Sequence, residues 1–247
     1  MTKPFSNACE QIEAKYKKEA HKNGWRFLMC PADRLNAKTQ IALLTLNPGG
    51  SSDKQKKGEP SCAHGSAYVC ESWCGKKPGE TPLQKQIRKL FEAIAAKIDR
   101  TKAGDGDNLL QQSLAACYIP FRSPSLKDLP KKKAAKAFAY TLWQDLFTKL
   151  DPLLIVTIDR ITTKAIRQIL EKELKWPAPD VKTFKIGWGA VSADVITFKA
   201  GKRKRVILRL PHLSRFQLFG RKKGAEKQVK AVIACAVRES SLPKRAK

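Results

Sequence analysis

Three short apolar runs constrain the fold of this chain more than anything else in it. Residues 41–46 (IALLTL), 114–119 (LAACYI) and 153–158 (LLIVTI) are apolar almost without a break. A strand with one wet face alternates apolar and polar side chains; a run apolar on both faces belongs to a strand covered on both sides, as in the parallel sheet of an α/β protein. Residues 206–210 (VILRL) read as a further strand, and 184–188 with 191–198 as a hairpin around Gly189-Ala190. Helical spacing fills the intervals. It runs through Leu83, Ile87, Leu90, Phe91, Ile94 and Ile98 in 82–100, and recurs in 131–149, 160–173 and 223–238. An N-terminal helix over 5–23 opens at Ser6 and closes near Asn23-Gly24. Strands alternating with helices predict a three-layer α/β/α sandwich around a central, mostly parallel sheet. No repeat or linker divides the chain. The expected organisation is a helix in 1–24 packed on a single α/β domain, 25–240, with a basic tail, 241–247.

The apolar runs stop at unusual polar clusters. The first ends in Asn47-Pro48-Gly49-Gly50-Ser51-Ser52, the second continues as YIPFRSPS (118–125), and the last strand leads into LPHLSRFQLFG (210–220). Pro48 biases Asn47 toward an extended backbone, and the glycines allow a sharp turn and close approach to a ligand. Parallel neighbours would gather these three loops at one rim, where open α/β sheets place their ligands. Short Ser/Pro/Gly loops offer backbone N–H groups and hydroxyls, which suit phosphate.

Charge narrows the partner. Lys and Arg number 49 against 22 Asp and Glu, a net +27. Such self-repulsion fits a polyanionic partner, with nucleic acid first and an anionic membrane surface second. No apolar run approaches the ~20 residues that span a bilayer, and MTKPFSNACEQ lacks the apolar stretch of a signal peptide. The expectation is a cytoplasmic, nucleoid-associated monomer that binds DNA and no membrane. Of the basic runs, 54–57 and 221–223 sit beside the rim loops, so Lys54 and Arg221 are assigned to phosphates. Seven cysteines, an odd number in a long chain, read as reduced thiols. Cys62, His64, Cys70 and Cys74 fall within 13 residues, enough for one tetrahedral zinc. Their C-x-H…C-x₃-C spacing is no standard finger, so separate thiols, with no metal and no cofactor, is the expectation.

The strand-end motifs resemble those of the uracil-DNA glycosylase superfamily. Thr45-Leu46-Asn47-Pro48-Gly49 is similar to the G-[IM]-N-P-G of its mismatch-specific and single-strand-selective branches. His212-Leu213-Ser214-Arg215-Phe216 is similar to its H-P-S motif and wedge loop, 212 − 47 = 165 residues further on. The YIPFRSPS and ESW (71–73) segments look like those of bacterial relatives, and the resemblance spans roughly 25–237 by element order. It implies a monofunctional DNA glycosylase that flips a base and hydrolyses its N-glycosidic bond. By that analogy Asn47 positions the attacking water and His212 stabilises the departing base. Leu46, Pro48, Gly49, Tyr68, Trp73 and Cys117 would line the base pocket. Ser51, Ser52, Arg122, Ser123, Ser125, Ser214, Arg215 and Phe216 would contact DNA, with Phe216 as the wedge. Three departures stand out: Thr45 replaces a glycine, Leu213 a proline, and Cys117 sits where uracil-specific members carry an Asn that reads the base edge. A thiol cannot make an amide's paired hydrogen bonds, which points to another base, such as a modified cytosine of phage DNA. The alternatives are repair of uracil or other deaminated bases and, from a different class, a non-catalytic DNA-binding protein on the same fold.

Overall fold

The computed structural model describes residues 3–50, 57–98, 105–200, 203–220 and 223–242. Ser51, Ser52, Lys54, Arg221 and the end of the basic tail lie outside these. The strands are β1 (Trp25–Arg26), β2 (Ile41–Thr45), β3 (Gly58–Glu59), β4 (Leu114–Cys117), β5 (Leu154–Thr157), β6 (Asp180–Lys185), β7 (Ser192–Ala200) and β8 (Arg203–Arg209). The helices are α1 (Lys3–Lys18), α2 (Ala67–Cys70), α3 (Pro82–Ala95), α4 (Asp105–Gln112), α5 (Lys132–Phe147), α6 (Arg160–Gln168), α7 (Leu213–Phe216) and α8 (Lys223–Glu239).

Six strands form one sheet in the order β4-β2-β5-β8-β7-β6. The first four are parallel, whereas β7 is antiparallel to β8 and β6 to β7. Every residue of β2, β4 and β5 is buried, because helices cover both faces of the sheet. α3 contacts α4 and α8, and α5 contacts α1 and α6, giving the outer layers of an α/β/α sandwich. Phe5, Ala8 and Ile12 of α1 join the same hydrophobic core. Thr81 opens α3 with a reciprocal capping box to Gln84 and a proline in the first turn. Asp159 caps α6 through Thr162 N–H.

Several regions differ from expectation. α1 ends at Lys18, short of the expected close near Asn23-Gly24, and α3 ends at Ala95 within the expected 82–100. The hairpin strands run 180–185 and 192–200, longer than the apolar stretches 184–188 and 191–198. β6 is an edge strand with exposed Asp180, Thr183 and Lys185, so hydrophobicity marks only its end. α4 carries an Asp-Gly-Asp start that hides a helix from periodicity. Its Gly106 is there for proximity: a Cβ would lie 2.6 Å from both Cα and N of Glu92 in α3. Backbone that close cannot yield cheaply. Gly106→Ala should therefore destabilise the protein by about 1–3 kcal/mol, read as a lower thermal midpoint; an unchanged midpoint would contradict this packing.

Candidate functional site

Parallel register decides which side chains meet at the carboxyl edge. Cys117 lies opposite Thr45, Thr157 opposite Leu44, and Arg209 opposite Thr157. The ladders continue past the strands: Tyr118 N–H donates to Thr45 O at 2.7 Å, Ile119 N–H to Leu46 O at 2.8 Å and Leu210 N–H to Thr157 O at 2.9 Å. Asn47, two residues beyond β2, Asp159, two beyond β5, and His212, three beyond β8, therefore stand along one rim. Neighbouring strands are about 4.8 Å apart, with Asp159 on the strand between the other two. This is also where the strand order switches sides of β2.

Asn47 is held from below. Its Nδ2 donates to Pro48 O at 3.2 Å and to Ser123 O at 3.1 Å. With both donations going to carbonyls, the amide is oriented with Oδ1 as its accepting side. Ser123 N–H returns a bond to Pro48 O at 3.3 Å, so the loops after β2 and β4 are stitched together. Arg122 completes the stitch: Nη1 donates to Gly49 O at 3.2 Å and Nη2 to Glu59 Oε2 at 2.8 Å. Glu59 also pairs with Arg26 at 3.2 Å, and Arg26 forms a two-pronged pair with Glu71. Trp73 Nε1 donates to Glu71 at 2.8 Å. Burial pushes the Glu71 carboxyl up, but the Arg26 and Trp73 hydrogen bonds outweigh it and hold the group at about 2.

These contacts revise several expectations. Arg122 and Ser123 are buried and bonded internally, so they shape the Asn47 loop and do not present donors to phosphate. Ser125 is exposed, its hydroxyl donating to Asp128 at 2.6 Å. Tyr68 is 2% exposed, which leaves its ring no free face on which to stack a base; it meets half-buried Trp73 edge-on at 5.5 Å. Cys117 is 1% exposed beneath the rim, its Sγ 3.7 Å from Thr45 Oγ1 and its thiol pushed up to about 11 by burial. Leu46 is half-buried, Pro48 buried and Gly49 exposed at the lip. The cysteine–histidine quartet does not converge. Among the described residues no three such groups are placed to hold a metal, and only Cys62 and Cys70 approach, at 3.5 Å. His64 and Cys74 are exposed.

His212 is exposed at the rim, with Nδ1 and Ser214 Oγ 2.9 Å apart. Desolvation by its neighbours lowers its pKa, the Asp159 charge raises it, and Arg215 lowers it again. Sequence reasoning missed Asp159, because an aspartate before a helix reads only as a cap. Its Oδ1 accepts from Thr162 N–H at 2.7 Å, whereas Oδ2 is buried with no hydrogen-bond partner among the described residues. Burial raises its pKa; the Thr162 amide and hydroxyl, the Ile161 N–H and His212 oppose that rise. The Thr162 hydroxyl favours the carboxylate by proximity while falling short of a hydrogen bond. Phe216 is half-buried and Arg215 exposed. A cavity of about 790 Å³, lined by Thr39, Ile41 and Ser113, lies at the opposite, amino edge of the sheet. Compared with known proteins, the sequence matches no family model and no curated protein.

The ion network gives a pH signature. A carboxyl depressed in the folded state stabilises the protein above its unfolded pKa, near 4.5, and loses that contribution as pH falls toward 2. Glu71→Gln should lower stability at neutral pH by about 2–3 kcal/mol and flatten the acid limb between those values. Denaturation curves at several pH values check this; parallel curves for variant and parent would contradict it.

Proposed function

We propose that this protein is a monofunctional DNA glycosylase that draws a non-standard base out of the stack and hydrolyses its N-glycosidic bond. The supporting observation is the rim itself: an amide with its oxygen oriented and an imidazole with a charged neighbour, two strands apart on a protein of net +27. The extruded sugar would sit between them. Asn47 Oδ1 accepts a hydrogen bond from water and aims its oxygen at C1′; an amide orients and does not deprotonate. The C1′–N bond breaks with its electron pair leaving on the base, the water oxygen bonds to C1′, and the water's proton ends on the released base. His212 donates a hydrogen bond to the base as negative charge develops there. Desolvation holds the His212 pKa below its ordinary value and the Asp159 charge opposes that fall, so the hydrogen bond comes from a ring N–H and needs no imidazolium. The products are a free base and an abasic site, with no lysine nucleophile required.

Cys117 bears on which base. Cys117 lies beside Thr45 and is buried, so it acts as part of the floor under the rim, and a thiol there does not read a uracil edge as an amide would. That favours a differently substituted base, such as a modified cytosine, over uracil. Cys117→Asn should shift base preference in a panel of modified oligonucleotides; an unchanged preference would refute this specificity.

Incubation with single- and double-stranded DNAs carrying uracil and modified cytosines, followed by alkali, tests the activity. Strand scission should appear for at least one base and only after alkali. Asn47→Ala and His212→Ala should each slow it about 100-fold or more while DNA affinity persists. Binding without scission for every base would leave only a DNA-binding role. Affinity should also fall steeply with salt.

Asp159→Asn keeps the helix cap, since asparagine caps as well as aspartate, but removes the charge beside His212. The imidazole should then titrate at lower pH than in the parent, followed by NMR. An unmoved titration would mean that Asp159 acts on α6 alone.

A further inference from the structure

The β6–β7 hairpin brings a second aromatic side chain to the rim. β6 and β8 are both antiparallel to β7 and hence parallel to each other, so residues 186–191 emerge at the edge that carries His212. Buried Arg209 fixes that placement. Its Nε donates to Asp194 Oδ2 at 2.7 Å, Nη1 to Ser192 O at 2.7 Å and Nη2 to Ser192 Oγ at 2.9 Å. The start of β7 is thus tied to the end of the strand that leads to His212. Within the tip, Val191 N–H donates to Trp188 O at 3.1 Å. Gly187 has φ 71°, and a Cβ there would meet Gln228 and Ala225 of α8 at 3.0–3.4 Å. The tip is therefore seated on α8.

From this seat Trp188 meets Phe216 edge-on, ring centres 6.2 Å apart at 85°. The Arg215 guanidinium carbon lies 5.6 Å from the centre of the Phe216 ring. Both rings are half-buried; Arg215 and Lys185 are exposed. Phe216 ends a one-turn helix that closes on a left-handed Gln217 (φ 45°), a slight support for a side chain that has to part a base stack. Trp188 supplies the buttress. Half-buried aromatic rings flanked by cations suit nucleobases, because every base has a π-face and each phosphate a charge.

We propose that Trp188, Phe216 and Arg215 form one stacking ridge that grips the base step beside the extruded nucleotide. The proposal rests on the nucleic-acid half of the reading above and not on bond cleavage. Because the rings touch, they should behave as a unit.

The test measures affinity for a duplex carrying a tetrahydrofuran abasic analogue. Trp188→Leu should weaken binding about 5- to 100-fold, whereas Trp188→Phe should stay within about threefold of the parent. Trp188→Leu combined with Phe216→Leu should bind more tightly than the product of the single losses allows. Unchanged affinity in Trp188→Leu overturns the ridge. If the leucine variant does not fold, photocrosslinking of the parent to iododeoxyuridine beside the analogue decides. Adducts in 186–191 or 213–216 support the ridge, and adducts confined to other segments overturn it. A protein that excises a base yet ignores Trp188 disproves the ridge alone. One that needs Trp188 for DNA binding yet excises nothing disproves the glycosylase reading alone.

Discussion

Register between buried parallel strands is what everything at the rim depends on. β2, β4 and β5 are covered on both faces, so a slip of one residue would carry Thr45, Thr157 or the polar residues beyond them into apolar layers. The ladder is fixed by that cost. It in turn sets which residues stand side by side where the strands end. Asn47, Asp159 and His212 are far apart in the chain and share no local motif; their proximity comes from strand order and pairing.

Buried arginines then hold the loops that the sheet delivers. Arg122 and Arg26 share Glu59, and Arg26 also takes Glu71, which pins the Gly49 carbonyl and the base of the Asn47 loop. Arg209 does the same for the hairpin through Asp194 and Ser192. Each planar guanidinium offers several donors in a fixed fork, so one side chain can satisfy carboxylates and carbonyls from different segments at once. In a chain of net +27, these buried arginines serve the fold.

The parts legible in the sequence were those with burial on every face. IALLTL, LAAC and LIVT announce themselves as interior strands, and the alternation with amphipathic helices gives the layers. Rim positions for Asn47 and His212 followed from that alternation, since a parallel sheet sends its strand ends to a common edge. What stayed hidden depended on contacts between distant segments. Arg122 looks like a surface phosphate ligand until Glu59 appears beside it. Asp159 looks like a cap until β8 brings His212 alongside. Trp188 looks like hairpin packing until two antiparallel pairings carry it to Phe216. β6 and α4 were blurred for a simpler reason: exposed or polar residues leave no hydrophobic period to read.

A crystal structure of the Asn47→Ala protein bound to DNA containing its preferred base would test the central claim most directly. The account predicts one nucleotide turned out of the stack and lodged between positions 47 and 212. DNA lying along the lysines of α5, with every base stacked and the rim unoccupied, would contradict it.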